Sequence, residues 1–168
     1  MSTTMYKRST RMVRFDELSM EMTAALAEHA QSHQLVLSDD MPAWLTSSQN
    51  LPSNSLLGKV FRRKANWTDP DAAHEVLVVI HSTHLIVVTA GEKRGTAVLS
   101  VPMSQASARV GSALEDTFAA VEDSGITLGG FPGEHGQAGT FYIGLGPEAA
   151  GAECAEAIRE AITEAKNP

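Results

Sequence analysis

The sequence predicts an α+β domain: short antiparallel strands in a meander, one closing helix at the C-terminus and one extra helix near the N-terminus. Three observations carry that expectation. From Leu57 to Leu145 the apolar residues follow the two-residue period of strands, with β-branched runs such as EVLVVIH (75–81) and HLIVVT (84–89). The connections in this region are short, which favours antiparallel neighbours over βαβ units. After Gly146 the period changes to that of a helix and holds to Lys166.

Residues 1–14 are rich in Ser and Thr, carry Lys7, Arg8, Arg11 and Arg14, and contain no acid, so a flexible basic arm is expected there. Residues 15–30 read as the extra helix. Asp16 is placed to cap it, Phe15 and Met20 to staple it, and Leu18, Met22, Ala25, Leu26 and His29 to form its apolar face. Residues 31–55 lose periodicity; Pro42, Pro52 and a Ser/Asn/Gln-rich run suggest a linker or long surface loop. Trp44 and Leu45 are its bulky apolar pair and are expected to dock on the domain.

Residues 56–168 are expected to be the domain itself. Lys59–Lys64 reads as its first strand. Glu75–His81 and His84–Thr89 are divided only by Ser82 and Thr83, which predicts a tight hairpin. Ala90–Gly95 is a turn. Thr96–Val101 alternates, with Ala97, Leu99 and Val101 on one face, and Pro102 ends it. Ser107–Val110 and Thr117–Val121 are weaker strand candidates. Ile126–Leu128 and Thr140–Leu145 follow, divided by the Gly-rich stretch 129–139. The closing helix runs from Pro147 to Lys166, with Pro147 suited to its first turn. Gly151, Cys154, Ala155, Ile158, Ile162 and Ala165 form one stripe, while Glu153, Glu156, Glu160 and Glu164 face outward.

Composition narrows the function classes. Of 168 residues 43% are hydrophobic, which suits a globular chain rather than a disordered one. Cys154 is the only cysteine, so a disulfide scaffold is excluded. The longest apolar run, Val76–Ile80, is strand-sized, and no secretory apolar region follows Met1; a cytoplasmic protein is expected. Residues 1–64 hold 8 Lys/Arg and 6 Asp/Glu, a charge of +2, whereas residues 65–168 hold 5 and 14, a charge of −9. Most of the domain would therefore repel a phosphate backbone, and a nucleic-acid partner is not expected.

No catalytic or cofactor motif stands up to its context. GLGPEA (144–149) has the letters of a dinucleotide turn, but no second parallel strand follows the helix, and Glu148 would face the pyrophosphate. His74, His81 and His84 are near in sequence but lack the further ligands a metal needs; they are expected as surface histidines. Cys154 lies on the apolar stripe beside acids, the opposite of a reactive thiol's setting. No G-x-S-x-G elbow or P-loop occurs, and Asp39–Asp40 has no cation-loop pattern around it. No metal or cofactor is expected.

The segments HSTHLIVVTAGEKRGTAVLSVPMSQA (81–106) and GTFYIGLGPEAAGAECAEAIREAI (139–162) resemble small bacterial members of the pleckstrin-homology-like superfold. The first is similar to a central hairpin stepping into the next strand, the second to a last strand running into the closing helix. The resemblance spans roughly residues 56–166. It implies about seven strands in two near-orthogonal sheets, a partly open barrel, with the helix plugging one end and its small residues Gly151, Cys154 and Ala155 permitting close approach. In phosphoinositide-binding relatives basic residues of the first two strands cradle the phosphates. That implies a candidate anion site of Lys59, Arg62, Arg63 and Lys64, joined by Lys93 and Arg94 from a later turn. The second strand departs from the pattern: Val76–Ile80 carries no base, and Asp69, Asp71 and Glu75 stand beside it.

The function expected on these grounds is a non-enzymatic binding or scaffolding module that takes a protein segment at a sheet edge by β-augmentation. The alternative is association with anionic membranes or phosphate headgroups through the basic clusters. A small enzyme with an unrecognised site is the third expectation.

Overall fold

Both faces of one sheet are covered in the computed structural model, which describes residues 6–50, 71–110, 125–132 and 138–168. That sheet has five strands in the order β1 (Tyr6–Met12), β2 (Ala43–Asn50), β3 (Ala73–Ile80), β4 (His84–Gly91) and β5 (Gly95–Pro102), every neighbour antiparallel. A second antiparallel sheet holds β6 (Ser107–Val110), β7 (Gly125–Pro132) and β8 (Ala138–Gly144) in that order. Helix α1 (Met20–Ser32) follows β1, and α2 (Ala149–Lys166) closes the chain. The expected antiparallel architecture in two sheets, with a helix near each end, is present; among the described residues there are eight strands, and they form no closed barrel.

Alternation along the strands sorts the core into two layers. Leu77, Val79, Ile86 and Val88 point to one face and pack with Ala43, Leu45, Val13 and the buried face of α1, Met22 and Leu26. Val76, Val78, Leu85, Val87 and Trp44 point to the other and pack with Ile126, Leu128 and Ile143 of the second sheet and Cys154, Ile158 and Ile162 of α2. Strands β3 and β4 are thus buried on both faces, which is why their sequences are near-continuous apolar runs. The expected hairpin of 75–81 and 84–89 is β3–β4, and the weaker candidate Ser107–Val110 is β6. The proposed strands Lys59–Lys64 and Thr117–Val121 lie outside the described residues. The Gly-rich stretch does not separate two strands from its start: β7 continues to Pro132, with an irregularity at Gly130, whose φ of +97° suits glycine.

The N-terminal third corrects the expectation most. Residues 6–12 are not a flexible arm but a strand paired with β2 from Tyr6↔Asn50 to Met12↔Trp44. Residues 43–50 are not linker but β2 itself, and Trp44 and Leu45 enter opposite layers of the core. A boundary at residue 56 therefore divides nothing, because β2 and β3 pair side by side. The physical reason is polar burial. Thr10, Thr46, Ser48 and Asn50 are all buried, so several inward positions of these strands are polar. Thr10 and Thr46 satisfy each other, with hydroxyl oxygens 2.8 Å apart.

Helix α1 starts later than expected. Phe15–Glu17 is a 3₁₀ turn in which Asp16 pairs with exposed Arg14, and Ser19, not Asp16, caps the helix by accepting from Met22 N–H at 3.2 Å. The helix ends in a Schellman pattern: Leu35 N–H reaches Ala30 O (2.8 Å), Gln34 N–H reaches Gln31 O (3.3 Å), and Gln34 takes the left-handed φ of +56°. Helix α2 begins at Ala149 rather than Pro147, and its buried stripe is Gly151, Cys154, Ile158 and Ile162. A Cβ at Gly151 would overlap the Gly146 carbonyl, so the tight entry to α2 requires a residue without a side chain.

Candidate functional site

The two outer strands of the five-stranded sheet end differently. On the side of β1 away from β2, the Thr10 N–H donates to Glu148 Oε2 (3.1 Å), and Gly146 N–H donates to Thr10 Oγ1 (2.8 Å). The Glu148 carboxylate, drawn below its ordinary pKa chiefly by the Thr10 N–H and then by a Ser9 hydrogen bond, thus occupies that edge. The Arg8 guanidinium lies hard against Gly144 at the end of β8. The β8–α2 junction closes β1.

Nothing pairs with the outer edge of β5 among the described residues. Its sequence, GTAVLSV, is uncharged from Gly95 to Val101, with no proline before Pro102. Lys, inward charge, proline and bulges are the devices that usually blunt such an edge, and this stretch carries neither charge nor proline. The Met103 N–H reaches Thr83 O across the ladder at 2.8 Å, and the β4–β5 register is unbroken. By the two-residue alternation of an antiparallel ladder, the N–H groups of Thr96, Val98 and Ser100 therefore face outward. Thr96, Val98 and Ser100 are half-buried on the α1 side, while Ala97 and Leu99 are exposed on the other, Leu99 at 37%. The edge offers main-chain donors and acceptors and shallow apolar contacts.

The turn that starts β5 consumes one of the candidate anion-binding residues. Asp71 is buried at the entry to β3, where its carboxylate accepts from Lys93 N–H (2.6 Å), Arg94 N–H (3.3 Å) and Arg94 Nε (2.7 Å). These bonds, led by that from Lys93 N–H, hold Asp71 below its ordinary pKa. Arg94 is an ion-pair partner that shapes the turn, and Lys93 is exposed beside it. The other four candidates, Lys59, Arg62, Arg63 and Lys64, lie outside the described residues.

A polar row that the sequence did not single out crosses the sheet on its α2 side. Arg8 Nε donates to Ser48 Oγ (3.2 Å), the guanidinium sits 4.5 Å from the Tyr6 ring centroid, and Tyr6 meets His74 edge-on at 5.6 Å. Burial lowers the Arg8 pKa, and Tyr142 and Tyr6 oppose that shift. Tyr6, Arg8, Asn50, His74 and Tyr142 each make further interactions, so the row is an internal network. Its signal in the sequence is the alternation of Tyr6, Arg8 and Thr10 with Lys7, Ser9 and Arg11.

On the α1 side, a shallow groove of about 490 Å³ runs past the start of the helix, with Glu21, Glu75 and Glu92 in its lining. Ser19, Ser47, Ser48 and His74 line it as well, Ser48 directly opposite His74 across β2 and β3. Cys154 is buried as its place in the stripe predicted, and burial pushes its thiol up to about 12, away from thiolate chemistry. Among the described residues no three His, Cys, Asp or Glu side chains stand together as metal ligands, and no helix is long and apolar enough to cross a membrane. No family model matches the chain, and neither does any curated protein or solved structure.

Proposed function

We propose that the chain is a non-enzymatic binding module of pleckstrin-homology-like kind, acting in the bacterial cytoplasm, whose partner is an extended protein segment added as a sixth strand beside β5. The observation that carries this reading is the outer edge of β5, uncharged and, among the described residues, unpaired. Strand addition draws affinity from main-chain hydrogen bonds and selectivity from alternate side chains. Here the selecting contacts are Ala97 and Leu99 on one face and Thr96 and Val98 on the other, which suit a segment of small and β-branched residues. Two antiparallel sheets and a closing helix packed on the core support the family reading; β1, α1 and β2 precede the span of that resemblance. A single cysteine, buried and unreactive, supports a reducing compartment.

The test is selection from a displayed library of extended peptides, scored by titration against wild type and Val98→Pro. Proline at an outward-facing edge position removes one donor from the docking edge without breaking the β4–β5 ladder. Selected peptides should bind wild type and lose about tenfold or more in affinity on the variant, the worth of one to two main-chain hydrogen bonds. Equal binding by both proteins, or no enrichment, would sink the reading. Anionic vesicles in the same assay address the other expectation: salt-sensitive sedimentation of wild type, lost when Lys59, Arg62, Arg63 and Lys64 become Ser, would put membrane association in its place.

A further inference from the structure

Four of the six histidines of the chain gather where the end of α1 lies over the β3–β4 turn. His29 and His33, one helical turn apart, stack with ring centroids 3.9 Å apart. His81 and His84, on either side of the turn, meet edge-on at 6.0 Å. The charges of His33 and His84 act on His29, and those of His81 and His33 act on His84, so the two pairs share one electrostatic patch.

The rings also fasten separate elements together. His29 Nε2 lies 2.7 Å from Ser100 Oγ and ties α1 to β5. The Thr83 N–H donates to His81 Nδ1 (3.1 Å), which places the ring proton on Nε2, where it is donated to the Val36 carbonyl (3.0 Å). His81 thereby ties the connection between α1 and β2 to the turn. Thr83 Oγ1 stands between the two rings of the turn, 3.1 Å from His81 Nδ1 and 2.7 Å from His84 Nδ1. His33 Nδ1 bonds back to His29 O at 2.9 Å.

Among the described residues no carboxylate bonds to a ring of the patch. Only Ser82 and Thr83 separate His81 from His84, and neither β5 nor the Met103–Gln105 turn has an ionisable side chain. The carboxylates of the surrounding elements are Glu21 and Glu28 of α1, Asp39 and Asp40 of the following connection, and Glu75 of β3. Asp40 accepts from Ser38 Oγ, Asp39 acts on Arg14, and Glu21 and Glu75 line the groove near the start of α1. None of the five acts on His29 or His84. The α1 dipole favours a cation at this end, but only weakly at partly exposed rings. Burial first, and then the neighbouring imidazoles, hold His29 and His84 below the ordinary value of 6.5.

We propose that His29 and His84, packed against His33 and His81, form an acid-sensitive latch: while the rings of His29 and His84 are neutral the cluster holds the end of α1 and the connection after it on the β3–β4 turn, and when those two rings become cations the crowded cluster opens and releases both. Ala43, Val79 and Ile86, fully covered in the layer beneath α1, become accessible on release. Below the unfolded-state value the unfolded or opened chain binds protons more readily than the closed one. The latch is therefore intact above about pH 6.5 and fails as pH falls through the lowered values of the closed state.

The test compares wild type with the triple variant His29→Gln, His33→Gln, His84→Gln, which leaves buried His81 in place. Melts at about pH 7.5 and about pH 5.5 should show the wild-type Tm falling by about 3 °C or more and the variant keeping most of its Tm. Amide exchange, corrected for the intrinsic pH dependence, should show wild-type protection of residues 29–37 dropping about tenfold at the lower pH, with Leu77 and Val87 unchanged. Equal falls in Tm for the two proteins, or protection lost uniformly or not at all, overturn the latch. Should the triple variant not fold, His84→Gln alone decides it: an acid-induced fall smaller than that of wild type supports the latch, and an equal one overturns it.

Discussion

Strands β1 and β5 are the two ends of one sheet, yet among the described residues one is sealed and the other has no strand paired to its outer side. β1 is strongly polar, carries three bases between Tyr6 and Met12, and borrows its closure from the far end of the chain, where Glu148 takes the Thr10 N–H. β5 is uncharged, follows its neighbour through a turn clamped by Asp71, and meets no partner on its outer side among the described residues. An edge left without charge or proline is a hazard in a protein that does not use it. The contrast teaches that edge protection was available to this fold, since one edge has it, and the lack of charge and proline along β5 is what motivates the proposal of strand addition there.

The comparison can be broken most severely through α2, which holds the sealing residues in place. Ile158→Asp sets an unpaired carboxylate among Cys154, Ile162 and the second sheet, and a loss of about 4 kcal/mol or more is expected, enough to unfold an ordinary domain. A circular-dichroism melt matching wild type would show that α2 does not cover the core. Thr10→Val attacks the seal alone. It removes the hydroxyl shared by Thr46 and Gly146, leaves buried polar groups unpaired, and should cost about 1–3 kcal/mol in urea unfolding.

Acid probes both ends together. Glu148 and Asp71 have folded values below their ordinary 4.5 and 3.8, so their stabilising effect is complete above those values and is lost as pH falls through the folded ones. Unfolding curves between about pH 5 and about pH 3 should show a flatter acid dependence in Glu148→Gln than in wild type. An unchanged slope would remove the carboxylate from the account of the β1 edge. The smallest effect on stability belongs to Leu99→Lys, within about 0.5 kcal/mol because the side chain is already partly exposed, while the added charge should abolish strand addition at β5. Retained peptide binding in that variant would move the docking site elsewhere.

What the sequence by itself determined is the part governed by local period and composition. The β-branched runs of β3 and β4, the alternation of β5, the stripe of α2 with Ile158 and Ile162, and the burial of Cys154 all follow from apolar residues recurring at two or 3.6 positions. Tertiary structure alone decided β1 and β2. Their inward residues include Thr10, Thr46, Ser48 and Asn50, which become tolerable inside only when a polar group from a distant segment meets them, as Thr46 and Gly146 meet the Thr10 hydroxyl. The same holds for Arg94, legible as a free cation in the sequence and held by Asp71 in the fold, and for the histidines of α1 and the β3–β4 turn, 48 residues apart from His33 to His81 and neighbours in space. Period reports which face a residue occupies; it carries no information about which polar group waits on the other side, because that partner is chosen by the packing of segments far apart in the chain.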